Sequence, residues 1–290
     1  MLRMGVIGCG YWGPNLIRNF SDVPASTVIA AADMSADRLA SVQKAWPSMR
    51  TTDDAAALIA MTDVDAVAVA TPVSTHFDIA MAALRAGKHV LVEKPLASSS
   101  EQALRLIDEA ARRKLVLMVD HTFVYSGTVR TVRDLLTSDG VGDLRYYDAV
   151  RVNLGLFRHD VNVLWDLAVH DLAIMDYLMS QQPCAVSATA ARQVAGQTEN
   201  IAYITVFFDD NVIAHVHANW MSPVKIRHTL IGGTKKMIVC NDLEPEEKVK
   251  VYDSGVELSK DPDDTRRLRV GYRTGPMYAP TVDSTEALRT

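Results

Sequence analysis

Met4-Gly5-Val6-Ile7-Gly8-Cys9-Gly10-Tyr11-Trp12-Gly13 is the stretch that decides the fold of this chain. Met4–Ile7 is apolar with a β-branched end and reads as a strand. Three glycines at G-x-G-x-x-G spacing follow, and a helix over Asn15–Phe20 comes next. Glycines in this pattern permit a tight turn and let backbone approach a pyrophosphate, which then rests at the helix N-terminus. The pattern alone is weak, but here a second strand, Val28–Ala32, completes the unit. That strand ends at Asp33, twenty residues after Gly13. A carboxylate there bonds adenosine ribose hydroxyls and repels a 2′-phosphate, which favours NAD over NADP. Arg38 lies close enough to soften that preference. A purely structural turn is the competing reading of the loop.

Working outward, the same alternation continues to about residue 120. Strands are expected at Ala66–Ala70, Val90–Val92 and Val116–Val119. Helices are expected at Ala36–Ala45, Ala55–Ala60, Phe77–Ala86 and Ser100–Arg113, the last with Ser99-Ser100-Glu101-Gln102 as its capping region. This rhythm predicts parallel βαβ units in a doubly wound α/β sheet over residues 1–122. From 123 to 290 the order changes to an α+β pattern. Helices at Ser126–Ser138 and Val161–Met179 bracket a strand at Leu144–Asn153. Strands at Val186–Gln193, Ile201–Phe208, Val212–Trp220, Ile226–Gly232 and Lys236–Asn241 follow, several with the period of two of an antiparallel sheet covered on one face. Asp209-Asp210-Asn211 and Gly232-Gly233 read as hairpin turns. Asp261–Thr290 reads as polar loop, with a helix beginning at Ser284-Thr285-Glu286-Ala287-Leu288.

Composition narrows the function. A formal charge of −5 argues against nucleic acid as a partner. Only Cys9, Cys184 and Cys240 occur, so neither a disulfide framework nor a C-x-x-C site is supported, and a reducing cytoplasmic setting fits. The N-terminus runs straight into a strand with no room for a signal peptide, and no apolar run is long enough for a membrane span. An open sheet leaves a face to cover, so a homo-oligomer, dimer or tetramer, is expected.

Three segments carry candidate chemistry. Glu93-Lys94-Pro95 ends the apolar run His89-Val90-Leu91-Val92 and puts a lysine at the sheet edge where open α/β folds bind ligands. Lys94 there donates to a substrate oxygen, or exchanges a proton if desolvation lowers its pKa; a surface lysine on a loop is the plainer alternative. Ala70-Thr71-Pro72-Val73-Ser74-Thr75-His76 also follows a strand. Thr71 and Pro72 fall near the expected nicotinamide and ribose, whereas Thr75 and His76 read as helix caps. Asp166 and His170, four apart on a largely apolar helix, share a face. A histidine in that setting takes an alcohol proton with a carboxylate orienting the ring; an ion pair on the helix surface is the other reading. No convincing third metal ligand accompanies them. His215 and His217 share a strand face and read as sheet packing or polar lining, so no metal site is expected.

Taken together, the Gly8–Gly13 loop, Thr71-Pro72 with His76, Ala86-Gly87-Lys88-His89-Val90 running into Glu93-Lys94-Pro95, and Asp166-x-x-x-His170 resemble the glucose–fructose oxidoreductase / inositol dehydrogenase / MocA family. The resemblance spans nearly the whole chain. It implies a Rossmann domain followed by a domain with a large, mostly antiparallel open sheet, and hydride transfer to or from a sugar or cyclitol carbon. It matches Lys94, Asp166 and His170 to the family's catalytic lysine, aspartate and histidine. On the cofactor side it implies Gly8, Gly10, Tyr11, Trp12, Gly13, Asp33, Arg38, Thr71, Pro72, His76, Glu93 and Lys94.

A finer resemblance lies in Tyr11-Trp12-Gly13-Pro14-Asn15, His121-Thr122-Phe123-Val124-Tyr125, Arg151-Val152-Asn153-Leu154-Gly155 and Asp160-Val161-Asn162. These are similar to the branch acting on nucleotide-linked sugars. By that analogy His121, Tyr125, Arg151, Asn153 and Asn162 contact substrate, although the last three serve equally well as polar partners inside their domain. Lys225 and Arg227 are further candidates, for phosphate. The expected function is NAD-dependent oxidation or reduction at C3 of a nucleotide-linked hexose, in a direction the residues do not specify. The alternatives are a free-sugar or inositol dehydrogenase and a catalytically silent NAD-binding regulator. Members of the family usually continue for several tens of residues, returning a helix to the first domain, so by that comparison the end at Thr290 reads as short, either naturally or by truncation.

Overall fold

The computed structural model describes residues 1–138, 140–155, 157, 160–258 and 270–290. The chain forms two compact units, Met1–Thr122 with Leu288–Thr290, and Phe123–Ala287.

In the first unit the elements run β1 (Leu2–Ile7), α1 (Gly13–Asp22), β2 (Ser26–Ala32), α2 (Ala36–Ala45), β3 (Arg50–Thr52), α3 (Ala55–Ile59), β4 (Ala66–Val69), α4 (Val73–Arg85), β5 (His89–Glu93), α5 (Ser100–Arg113) and β6 (Leu117–Asp120). The six strands are parallel in the order β3-β2-β1-β4-β5-β6. The order reverses between β1 and β4, the switch point where sheets of this kind open a crevice at their carboxyl ends. Central strands buried on both faces need small or branched apolar residues, and β4, Ala-Val-Ala-Val, is buried throughout. Lys88 is buried as well, its ammonium donating to the carbonyls of Met61 (2.8 Å) and Val64 (2.7 Å) and so pinning the loop before β4.

Helix starts follow local chemistry. The Ser99 hydroxyl accepts from Gln102 N–H at 3.2 Å and starts α5, as the capping region predicts. The β3 strand is absent from the sequence expectation. Its three residues, Arg50-Thr51-Thr52, sit at the sheet edge and show no apolar pattern. Helix α4 begins at Val73, four residues before the expected Phe77.

The second unit runs α6 (Gly127–Thr137), β7 (Leu144–Leu154), a π-helical turn (Leu164–Ala168), α7 (Val169–Leu178), β8 (Pro183–Ala191), β9 (Ile201–Phe208), β10 (Ile213–Asn219), β11 (Met221–Gly233), β12 (Met237–Asn241), β13 (Val249–Tyr252), β14 (Gly255–Leu258), β15 (Val270–Arg273) and β16 (Met277–Tyr278). Eight strands form one sheet, β16-β13-β12-β11-β7-β10-β9-β8, with β14 and β15 as a separate pair. Among the described pairs in that sheet, β7 and β10 run parallel and the rest antiparallel. Alternate residues of β9 and β10 (Ala202, Ile204, Val206; Ala214, Val216, Ala218) pack with Val132, Met175 and Met179 of the helical layer in one core. Tyr203, Phe207 and Ile213 lie on the opposite, exposed face.

Several expectations are corrected here. The expected Val161–Met179 helix starts at Leu164 and opens with a π turn. Gly232-Gly233 is not the hairpin turn but the end of β11. A side chain at Gly232 would collide with the Tyr146 ring across the strands, so the glycine answers to packing. Asp209-Asp210-Asn211 does turn between β9 and β10, with Asp210 and Asn211 both at φ 59°. The tail expected to be loop carries β15 and β16, while its 261–269 part lies outside the described residues. Near the end, a short 3-10 turn at Ala287–Arg289 replaces the expected helix start, and Leu288 packs on the first unit's core.

Candidate active site

The loop after β1 is shaped by three glycines with three different reasons. Gly8 has φ +96°, and a Cβ there would meet the Ala70 carbonyl group at 2.6 Å and Thr71 N at 2.8 Å. A Cβ on Gly13 would strike the Gly8 carbonyl oxygen. At Gly10 the nearest atom is 3.9 Å away, on Arg38, so the loop is open there. Trp12 caps α1 without a side-chain hydrogen bond, and no acidic residue stands in the first turn. The cradle thus leaves amide donors and a helix dipole for an anion. Asp33 closes it: one oxygen accepts from Cys9 N–H (2.7 Å) and the other from Ser35 N–H (2.8 Å), with the Arg38 guanidinium at 3.4 Å. An open glycine loop, a helix N-terminus with neither a side-chain cap nor an acidic first turn, and a carboxylate after β2 fit a dinucleotide. Tyr11 is exposed on the loop and stacks edge-on with Trp12, ring centroids 5.4 Å apart.

Two further turns lie at the carboxyl ends of β4 and β5. At the first, the Thr75 hydroxyl donates to the Pro72 carbonyl (2.8 Å) and lies 2.7 Å from the Thr71 hydroxyl. His76, expected as a helix cap, instead turns inward. Its ring nitrogens lie 2.8 Å from Thr71 O and 2.9 Å from Pro95 O. Pro95 follows Lys94 through a cis peptide bond. Glu93 and Asp120 end neighbouring strands in register, and both are buried. Burial, then the charge and hydrogen bond of Asp120, push the Glu93 carboxyl up to about 8, against the opposing pull of Lys94. Thr122 donates to Asp120 at 2.8 Å. His121 is half-buried; burial lowers its pKa, Asp120 opposes that, and Lys94 adds to it.

In the second unit Asp166 lies on the π turn and His170 on the first turn of α7. The Trp220 indole N–H donates to Asp166 at 3.0 Å, and the Phe123 ring meets the His170 ring edge-on at 4.8 Å. π turns recur at functional sites. Asn162 accepts from Leu164 N–H (3.1 Å) and Trp165 N–H (3.4 Å) and donates to Glu199 (3.3 Å), so it caps this turn. Arg151 makes a bidentate pair with Asp171 at 2.7 and 2.9 Å, both side chains buried, and is the interior partner the sequence left open as one reading. Its guanidinium also stacks on Phe123 at 4.8 Å. A cavity of about 40 Å³ touches Phe123, Arg151, Asp171, Arg227 and Asp242. Asn153 and Tyr125 are half-buried. Lys94 belongs to the first unit, Asp166 and His170 to the second. Asp120 and Asp171 escaped the sequence reading. Asp120 ends a strand as Asp33 follows one, and Asp171 adjoins His170, which were the available signals.

Residues 2–121 match the family described as "Oxidoreductase family, NAD-binding Rossmann fold", and residues 129–239 match the "GFO/IDH/MocA C-terminal domain". The chain belongs to the Gfo/Idh/MocA oxidoreductase family. Among curated members, it is 32% identical over 226 residues to a UDP-N-acetylglucosamine 3-dehydrogenase of Acidithiobacillus ferrooxidans, a match covering 75% of this chain and 67% of that protein. It is 31% identical over 204 residues to an inositol 2-dehydrogenase of Saccharopolyspora erythraea, covering 69% and 60%. A solved structure of the A. ferrooxidans UDP-N-acetylglucosamine 3-dehydrogenase superposes with a TM-score of 0.80 at 27% identity, over 99% of this chain and 85% of that one. Both Gfo/Idh/MocA sheets are thus present, an NAD-binding one and a mixed eight-stranded one.

Proposed function

We propose that this Gfo/Idh/MocA protein uses NAD to oxidise a secondary alcohol of a sugar, or to reduce the corresponding ketone, at C3 of a nucleotide-linked hexose. The observation that carries the reading is Lys94 at the carboxyl edge of the NAD-type sheet, in a turn tied to Thr71 through His76. The similarity to a UDP-N-acetylglucosamine 3-dehydrogenase supports the substrate class. When bound, NAD accepts or donates the hydride; the protein supplies orientation and electrostatics. Gly8, Gly10 and Gly13 admit the pyrophosphate, and Asp33 takes the adenosine ribose, which favours NAD over NADP. Tyr11, Trp12, Thr71, Pro72 and Glu93 are assigned to the cofactor on the same ground, and Arg38 borders the ribose.

Lys94 donates to the reacting oxygen and steadies the negative charge that grows there. His170 takes the alcohol proton in oxidation and returns it in reduction. Asp166, held by Trp220, is its carboxylate partner. His121, Tyr125, Asn153 and Asn162 are assigned to substrate. A panel of UDP- and dTDP-sugars with NAD or NADH, followed at the reduced-nicotinamide absorbance, tests the reading. Lys94→Ala and His170→Ala should each lower kcat by roughly 100-fold or more. Unchanged turnover in both variants would sink the catalytic assignment.

The similarity to an inositol 2-dehydrogenase favours a second reading, oxidation of a free cyclitol. Turnover of inositol but of no nucleotide sugar decides for it. The exposed sheet face bearing Tyr203, Phe207 and Ile213 supports a homo-oligomer, which light scattering measures.

A further inference from the structure

His76 is 1% exposed, and both its ring nitrogens sit at hydrogen-bond distance from main-chain carbonyl oxygens, Nδ1 to Pro95 at 2.9 Å and Nε2 to Thr71 at 2.8 Å. A carbonyl oxygen accepts and never donates. A neutral imidazole carries one N–H and one lone pair. In either neutral tautomer one nitrogen of this buried ring would therefore point its lone pair at an oxygen. Only the imidazolium donates to both.

The two carbonyls have a common context. Strands β4 and β5 are neighbours, and their pairing ends at Val69 opposite Val92. Thr71 and Pro95 lie two and three residues beyond that last pair, where no sheet ladder holds the chains together. The His76 ring crosses this gap. One end fixes the turn that carries Thr71, and the other fixes the residue after Lys94. Charged and titratable groups on the adjoining turns are Glu93 and Lys94 after β5, Asp120 and His121 after β6, and Asp78 two residues along α4.

We propose that His76 is held as a doubly donating imidazolium at neutral pH, and that it is the positioning residue that sets the Thr71 and Lys94 turns for NAD. The protonation half stands on geometry alone, and the NAD half rests on the oxidoreductase reading.

The test has two arms on the full-length protein. In the first, NMR of the 15N-labelled chain follows the imidazole nitrogens, with the His76 signals assigned by their loss in His76→Gln among eight histidines. Protons on both nitrogens at pH 7.5 are expected; one deprotonated nitrogen overturns the proposal. In the second, NAD affinity is measured by calorimetry for the wild type, His76→Gln and His76→Asn. Neither amide can donate from two opposite sides, so Kd should rise on the order of tenfold in each, the value of a charge-assisted bond. Acylation of Lys94 by an amine-directed reagent, read by mass spectrometry of its peptide, should change several-fold in folded variants. Unchanged Kd and unchanged Lys94 reactivity in folded variants overturn the positioning role. If both variants fail to fold, the His76 signals are assigned instead by backbone-to-ring through-bond correlations in the wild type, and that arm still decides the protonation state. If the wild type does not bind NAD, the oxidoreductase reading fails and the ring-nitrogen result still stands.

Discussion

Asp171 stands one residue after His170, yet its carboxylate serves the interior by neutralising Arg151, which is 5% exposed. Removing one member of a buried pair leaves a charge with neither partner nor water, at a cost of about 3–5 kcal/mol. Asp171→Ala should lose that much stability in the second unit, read as faster hydrogen exchange in β7 and α7. A change below about 1 kcal/mol would contradict the pair's importance. Glu93 makes a pH prediction of the opposite kind. Its folded pKa of about 8 lies above the ordinary 4.5, so the neutral form is favoured in the folded protein. The stability it contributes is full below about 4.5 and is lost as pH rises through about 8. Glu93→Gln, always neutral, should melt higher than the wild type at pH 9 and show little difference at pH 5. Parallel melting profiles would show that Glu93 is not the group responsible. Neither role was legible in the sequence. A lone Arg151 or Glu93 does not reveal its partner when Asp171 lies on another element and Asp120 on another strand.

At the scale of elements, local chemistry carried the sequence reading well where it was dense. The Gly8–Gly13 loop announces itself because Gly8 and Gly13 have steric reasons that no other residue meets, while Gly10 keeps the loop open. Gly13→Ala should place a methyl against the Gly8 carbonyl, costing the first unit about 1–3 kcal/mol and weakening NAD binding with it. Gly10→Ala meets open space, so its melting temperature should stay near wild type while NAD affinity falls. Calorimetry with thermal unfolding separates the two; equal effects on melting would contradict the division of roles. Legibility failed where an element lacks its own pattern. Arg50–Thr52 forms a strand only because β2 offers it an edge, and β16 is two residues long. The π turn at Leu164–Ala168 was likewise hidden, since its apolar residues fit an ordinary helix equally well.

For the whole molecule, fold and family were legible because several spaced motifs agree along the chain, and the match over residues 2–121 and 129–239 bears that out. The substrate was not, because polar side chains such as Arg151 and Asn162 read equally as substrate contacts and as partners within their own unit, where both do make bonds. No helix among the described residues is long and apolar enough to cross a membrane. The central claim is hydride exchange between NAD and a nucleotide-linked sugar, and the most direct measurement is reduced-nicotinamide absorbance across UDP- and dTDP-hexoses, with inositol and free hexoses alongside. The account predicts NADH formation or consumption with at least one nucleotide sugar, abolished in Lys94→Ala. Confirmed NAD binding with no absorbance change for any sugar or cyclitol would contradict it.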